Sequence, residues 1–208
     1  MKQKNINIIT FNHWALKDKD IAMQKGHEKS VKKMMEIINN KTNIMNRPFA
    51  FVDLGCGNGW VCREISKNNY CELVVGVDGS QHMIEKAKKF ETRKNIYIQT
   101  DIESWKPNYK FDIVFSMETF YYFTNPSKII KIFHDSLNDK GIIIIGIDHY
   151  LENKQSLNWE KEYNLSTTTL SINKWKSIFK SCGFNNVEID NFGKTDKWEG
   201  TLIIFAQK

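Results

Sequence analysis

The stretch FAFVDLGCGNG, residues 49–59, decides the fold. Phe49, Ala50, Phe51 and Val52 form an apolar run of the kind that becomes a buried parallel strand. The run stops at an acid, Asp53, and enters a G-x-G-x-G turn made by Gly55, Gly57 and Gly59. Trp60, Val61, Arg63 and Ile65 then open a helical pattern. A strand that ends in glycines before a helix lets a ligand approach the main chain closely, beside the helix N-terminus. A dinucleotide fingerprint, G-x-G-x-x-G, would need glycine at position 60, where this chain has Trp60. In the D-x-G-x-G-x-G order found here, Asp53 suits a ligand with a cationic amine.

Tight turns need glycine for structural reasons too, so the turn alone is not decisive. Two further acids in register carry the argument. Cys71–Val77 reads as a second apolar strand ending at Asp78, 19 positions after Gly59. An acid about 20 residues beyond such a loop falls at the tip of the neighbouring strand and accepts from ribose hydroxyls. Asn95–Gln99 reads as a third strand, followed by Thr100 and Asp101, with Asp101 placed for an adenine amino group and Ile102 for the ring face. From about Lys25 to its C-terminus the chain resembles the class I S-adenosylmethionine (SAM) methyltransferase superfamily. The resemblance implies SAM as methyl donor and S-adenosylhomocysteine (SAH) as product. It assigns Asp53, Gly55, Gly57, Asp78, Gly79, Met83, Asp101, Ile102 and Ser116 to the cofactor.

The 208 residues suggest one domain able to bury most of its apolar surface. There is no membrane-length apolar run and no signal-peptide core, and the four cysteines match no metal spacing, so buried reduced thiols in a cytoplasmic protein are expected and no metal site. The net charge of +6 comes from residues 1–48, which hold ten Lys/Arg and four Asp/Glu. With no aromatic-interleaved basic cluster, this arm reads as a solvated helix face, and nucleic acid is not the expected partner.

Elements alternate along the rest. Gly26–Asn39 carries Val31, Met34, Met35 and Ile38 at helical spacing. Ser80 caps a helix with Met83, Ala87 and Phe90 inward, and Asn125-Pro126 opens one with Ile130, Phe133 and Leu137 inward, broken by Gly141. Phe111–Phe115 and Ile142–Ile147 are strands four and five. A helix striped by Trp175, Ile178, Phe179 and Cys182 stops at Gly183, and Phe184–Ile189 and Thr201–Ala206 close the chain as two strands with no helix between them. The expected fold is α/β: a seven-stranded, mostly parallel Rossmann-like sheet, helices on both faces and an antiparallel C-terminal strand. Residues 1–48 are expected to form a helical arm or lid, and 49–208 the SAM-binding domain.

The acceptor end is read from segments overhanging the sheet's C-terminal edge. After strand four comes SMETFYYF, residues 116–123, in place of the D/N-P-P-Y-type motif of enzymes that methylate planar amides or bases. Glu118 and Tyr121 are the candidates for holding an acceptor, an amine among the options, by charge and cation–π attraction. His149, after strand five, is the candidate general base. Asp148 beside it is expected to point the other way on an extended strand. Trp14, Tyr122, Tyr150 and Trp159 are the candidate substrate and lid residues. The expected activity is methyl transfer from SAM to a small molecule. RNA or protein methylation, and a non-catalytic SAM-binding subunit, stand as alternatives; the oligomeric state is not legible.

Overall fold

A computed structural model describes residues 5–208. Two helices lead in, α1 (Ile6–Leu16) and α2 (Lys19–Lys41). The core then alternates β1 (Phe49–Leu54), α3 (Trp60–Ser66), β2 (Cys71–Asp78), α4 (Gln81–Lys88) and β3 (Asn95–Gln99). It continues through β4 (Phe111–Met117), α5 (Pro126–Ser136), β5 (Leu137–Ile147), a short α6 (Trp159–Tyr163) and α7 (Ile172–Ser181). The chain closes with β6 (Asn186–Phe192) and β7 (Thr201–Gln207). The seven strands lie in the order β3-β2-β1-β4-β5-β7-β6. β1 to β5 run parallel, and β7 runs antiparallel to both its neighbours. The order reverses at β1, and an open α/β sheet binds its ligands at such a switch point.

Two apolar layers cover the sheet. Alternate strand residues point to opposite faces: Val52, Leu54, Val75 and Val77 pack with Ile130 and Phe133 of α5 and Trp175 and Phe179 of α7. Phe51 and Val74 pack instead with Met34 and Ile38 of α2, Val61 and Ile65 of α3, and Ile84 of α4. Ile142–Ile145 and Ile147 are fully buried, as expected of a central strand covered on both sides. Each such side chain contributes about 1.5–3 kcal/mol of transfer free energy.

Helix starts follow their caps. The Ser80 hydroxyl accepts from the Met83 N–H, and the Asn125 side chain accepts from the Lys128 N–H ahead of Pro126 at the first helical position. Two local expectations need correcting. Phe90 lies past the end of α4 and is 55% exposed, with the Arg63 guanidinium 4.5 Å over its ring. The break before β5 falls at Leu137, where the chain passes directly from helix to strand; Gly141 is inside that strand. All four cysteines are buried and free. Among the described residues no helix is long and apolar enough to cross a membrane.

Candidate active site

The strand order turns five acids into a row. Along the C-terminal edge, β3, β2, β1, β4 and β5 deliver Asp101, Asp78, Asp53, Glu118 and Asp148, one carboxyl at or beside each strand end. The glycine turn lies against the middle of this row. Gly55 N–H and Cys56 N–H both donate to the Val77 carbonyl (2.8 and 3.1 Å), which folds the turn back over β2. Gly57 sits at φ +52°, a left-handed conformation that costs glycine little, and a Cβ there would meet nothing nearer than the Met83 sulfur at 4.0 Å. Its N–H donates to Asp78 Oδ2 at 2.9 Å, and the Ser80 N–H donates to Oδ1 at 2.7 Å. Asp78 is thereby held by main chain, with lone pairs remaining on both oxygens for a ligand.

A cavity of about 1040 Å³, mouth included, opens along this edge. Asp53, Gly55, Gly57, Asp78, Gly79, Met83, Asp101, Ile102, Glu118 and Tyr122 all line it. Ile8 and Phe11 of α1 and Asp20, Met23, Gln24 and His27 of α2 form the opposite wall. Among the described residues its lining holds five carboxyls, Asp20, Asp53, Asp78, Asp101 and Glu118, and no lysine or arginine. The electrostatics follow from burial. The Asp53 carboxyl is 2% exposed, and burial, then the neighbouring Asp78, push its pKa up to about 8. Burial also raises Asp78, against the two N–H groups that favour its charge.

Six anticipated site residues lie elsewhere. Ser116 is buried and donates to the Leu54 carbonyl at 2.7 Å, tying β4 to β1 beneath the turn. His149 is fully buried, with Nδ1 3.0 Å from the Ser156 carbonyl and Nε2 2.8 Å from the Thr169 hydroxyl. Both ring nitrogens are engaged and none faces the cavity, so His149 pins the loop after β5 and is not placed as a base. Tyr121 is buried and donates to Glu118 Oε2 at 2.6 Å, orienting that acid from behind. The Tyr150 hydroxyl donates to the Gly200 carbonyl at 2.9 Å in the core. Trp14 packs edge-on against Phe11 (5.2 Å) and Tyr163 (5.8 Å), so it backs the cavity wall without forming it. Trp159 stands 6.3 Å from the Tyr121 ring and 6.1 Å from that of His149, outside the lining.

Beside Tyr122 the cavity ends in a cluster that the spacing of the sequence did not reveal. Glu118 adopts φ +59°, a sparsely populated conformation for a residue with a side chain. Its carboxyl accepts from the Asp148 N–H through Oε1 and from the Tyr121 hydroxyl through Oε2. Burial, then the Asp148 charge, push Glu118 well above the usual carboxylate range, and burial raises Asp148 as well. Asp148 Oδ1 is buried with no hydrogen-bond partner. His27, Glu118 and Asp148 each bring one donor atom within 4.8 Å of the other two. Among the described residues this is the one group whose donors are close enough to share a metal ion.

The cavity fits SAM. That molecule presents an adenine, a ribose diol and an ammonium beside its sulfonium, and the cavity presents carboxyls in a row, Asp101, Asp78 and Asp53, from β3 to β1. The Asp53 carboxyl accepts from the Cys62 thiol at 3.8 Å, and a Cβ at Gly57 would find open space up to the Met83 sulfur. The chain belongs to the methyltransferase-domain family, whose model matches residues 27–189.

Among its relatives is a malonyl acyl-carrier-protein O-methyltransferase of Priestia megaterium, 31% identical over 111 residues, which cover 52% of this chain and 40% of that protein. The chain spans about half the length of the curated relatives it matches. Among solved structures, the fold resembles the Haloferax volcanii putative methyltransferase complexed with the Trm112 methyltransferase activator. There the TM-score is 0.82 and the identity 23%, over 95% of this chain and 96% of that one. A DhpI–SAM–HEP complex superposes at TM-score 0.72 with 12% identity over 100% of both chains.

Proposed function

We propose that this protein transfers the methyl group of SAM to the nitrogen of a small amine. The observation that carries the reading is the cavity wall itself, which among the described residues holds five carboxyls and no lysine or arginine. On this reading three of them, Asp53, Asp78 and Asp101, serve the methyl donor, and Asp20 is engaged by Lys86 and Asn58. Glu118, with Asp148 behind it, remains for the acceptor. Two partly buried carboxyls with raised pKa values are stabilised by a cation, and an alkylammonium supplies one with N–H donors for their oxygens. Tyr122 offers an aromatic face at the same end.

A carboxylate acceptor, such as the malonyl group in the printed name of several relatives, would meet these acids with no lysine or arginine among the described lining residues to offset them. SAM supplies an already activated methyl group. The chain's own contribution is proximity and orientation, which can be worth about 7–11 kcal/mol. On this reading α1 and α2 act as a lid, since their side chains close the cavity over the sheet edge.

The test is turnover of methyl-labelled SAM by the purified protein against panels of small primary and secondary amines, phenols, carboxylic acids including malonyl thioesters, and total RNA. Label should enter amines. Label in carboxylates alone, or salt-sensitive labelling of RNA alone, would sink the amine reading. SAM binding with no labelled product from any panel or from cell extract would instead identify a non-catalytic SAM-binding subunit.

A further inference from the structure

We propose that His27 is the base that takes the proton an amine acceptor must lose before it attacks, with the Glu118–Asp148 pair, which holds one negative charge between its two carboxyls, as its positioning counter-charge. The proposal rests on the amine reading above and adds a residue that neither the family match nor the relatives assign. An ammonium is held by carboxyls but has no lone pair. One N–H proton must pass to a neutral base. The freed lone pair then forms the bond to the methyl carbon, the carbon–sulfur bond breaks with its electron pair left on sulfur, and the product leaves as a methylammonium.

His27 alone among the five histidines is placed for this. His13 is exposed, His82 pairs with Glu85 at 2.9 Å, and His134 pairs with Asp135 at 3.1 Å. His149 has both nitrogens engaged. His27 lines the cavity from α2, and among the described residues its ring makes no hydrogen bond. A ring nitrogen, a Glu118 oxygen and an Asp148 oxygen lie within 4.8 Å of one another. A proton on the imidazole would thus arrive next to two carboxyls, one of which has a buried oxygen without a partner. Burial lowers the His27 pKa, so the ring is a free base at neutral pH, ready to accept.

The other titratable groups on this cavity are Asp20 from α2, Asp53 from β1, Cys56 in the glycine turn, Asp78 from β2, Asp101 after β3 and Tyr122 after β4. Glu118 fixes the geometry. Its left-handed backbone and its two accepted hydrogen bonds hold the carboxyl in one place, so the base and the acceptor's binding group have a set separation.

The experiment has two arms. In the first, H27Q and H27A are assayed with the best acceptor from the panels described above, across pH 5.5–9. At pH 7 kcat should fall about 100-fold or more. The histidine limb of the pH profile should vanish, and imidazole added to H27A should restore part of the rate. SAH affinity by calorimetry should stay within about twofold, which shows that the fold and cofactor site persist.

The second arm needs no acceptor. The His27 ring is titrated by NMR in the SAH complex of the wild type and of an E118Q/D148N double variant that still binds SAH. Removing the counter-charge should lower the His27 midpoint by at least about half a pH unit. A kcat within about threefold of wild type in H27Q, or an unmoved His27 midpoint in the double variant, overturns the proposal. Failure of the amine reading is distinct: the panels then label another acceptor class, and H27Q is judged with that acceptor.

Discussion

Asp53 shows how one residue joins sequence, burial and ligand. Its place at the end of the first strand, two residues before the glycines, was legible because a charged residue that ends an apolar run must sit where the strand meets the ligand edge. Its titration was not legible, because it depends on burial and on Asp78 across the turn. With a pKa near 8 in the free protein, Asp53 is mostly protonated at pH 7. An ammonium seated beside it favours the carboxylate, so SAH or SAM binding at pH 7 should release up to about one proton. Calorimetry in phosphate and in Tris measures that release as the dependence of the binding enthalpy on buffer ionisation. Asp53→Asn should abolish it; a wild-type enthalpy equal in both buffers would show that the amine sits elsewhere. His149 and Asp148 teach the opposite lesson. Strand periodicity assigned them to opposite faces, and the two side chains do diverge, but it is the Asp148 carboxyl that lies beside Glu118 while His149 turns into the loop after β5. β5 ends at Ile147, as the apolar run indicated, and alternation alone does not say which of the two following side chains meets the site.

At the scale of elements, the sheet was legible and the approach of the N-terminal helices to it was not. Apolar runs, glycine turns and cap residues are local signals, and they reproduce all seven strands. The stripe Val31, Met34, Ile38 fixes which face of α2 packs on the sheet, but not how far its first turns reach along the edge. That reach is set by polar ties across distant segments. Asp20, 5% exposed, accepts from Lys86 Nζ of α4 at 2.6 Å and from Asn58 Nδ2 of the glycine turn at 2.9 Å. Asn12 Oδ1 accepts from the Ser80 hydroxyl at 2.8 Å and from the His82 N–H at 3.1 Å, so α1 docks on the start of α4. Lys86→Met leaves the Asp20 carboxylate buried with an amide as its remaining donor. The cost should be about 1–3 kcal/mol of stability. Because α2 carries Met23, Gln24 and His27 into the cavity wall, SAH should also dissociate severalfold faster. Chemical denaturation and stopped-flow release measure the two effects. A variant that loses stability but keeps the wild-type off-rate would show that the tie holds the fold and not the lid.

Over the whole molecule the charge distribution is uneven: a net +6 chain folds around a cavity walled with carboxyls. That arrangement makes stability depend on pH in an unusual direction. A carboxyl whose pKa is raised on folding keeps its proton in the native protein after the unfolded chain has lost it. The native state is favoured at low pH and loses that advantage as pH climbs toward the raised value. Asp53, with its pKa near 8, and Glu118, well above its usual range, both act this way. His27 and His149, lowered by burial, act in the other sense: they remain neutral while the unfolded chain binds protons, and so remove stability below about pH 6.5. Between pH 6.5 and 8 the acids prevail. Each one costs up to about 1.4 kcal/mol per pH unit, roughly 3–6 °C of Tm in a chain of this size. The unliganded protein should therefore melt several degrees lower at pH 8 than at pH 6.5. Saturating SAH should flatten the slope by placing an ammonium beside Asp53, and Asp53→Asn should flatten it without ligand. A Tm that holds level or rises across this interval in the unliganded wild type would mean that the row of carboxyls is already ionised, and that the cavity is wetter than its burial implies.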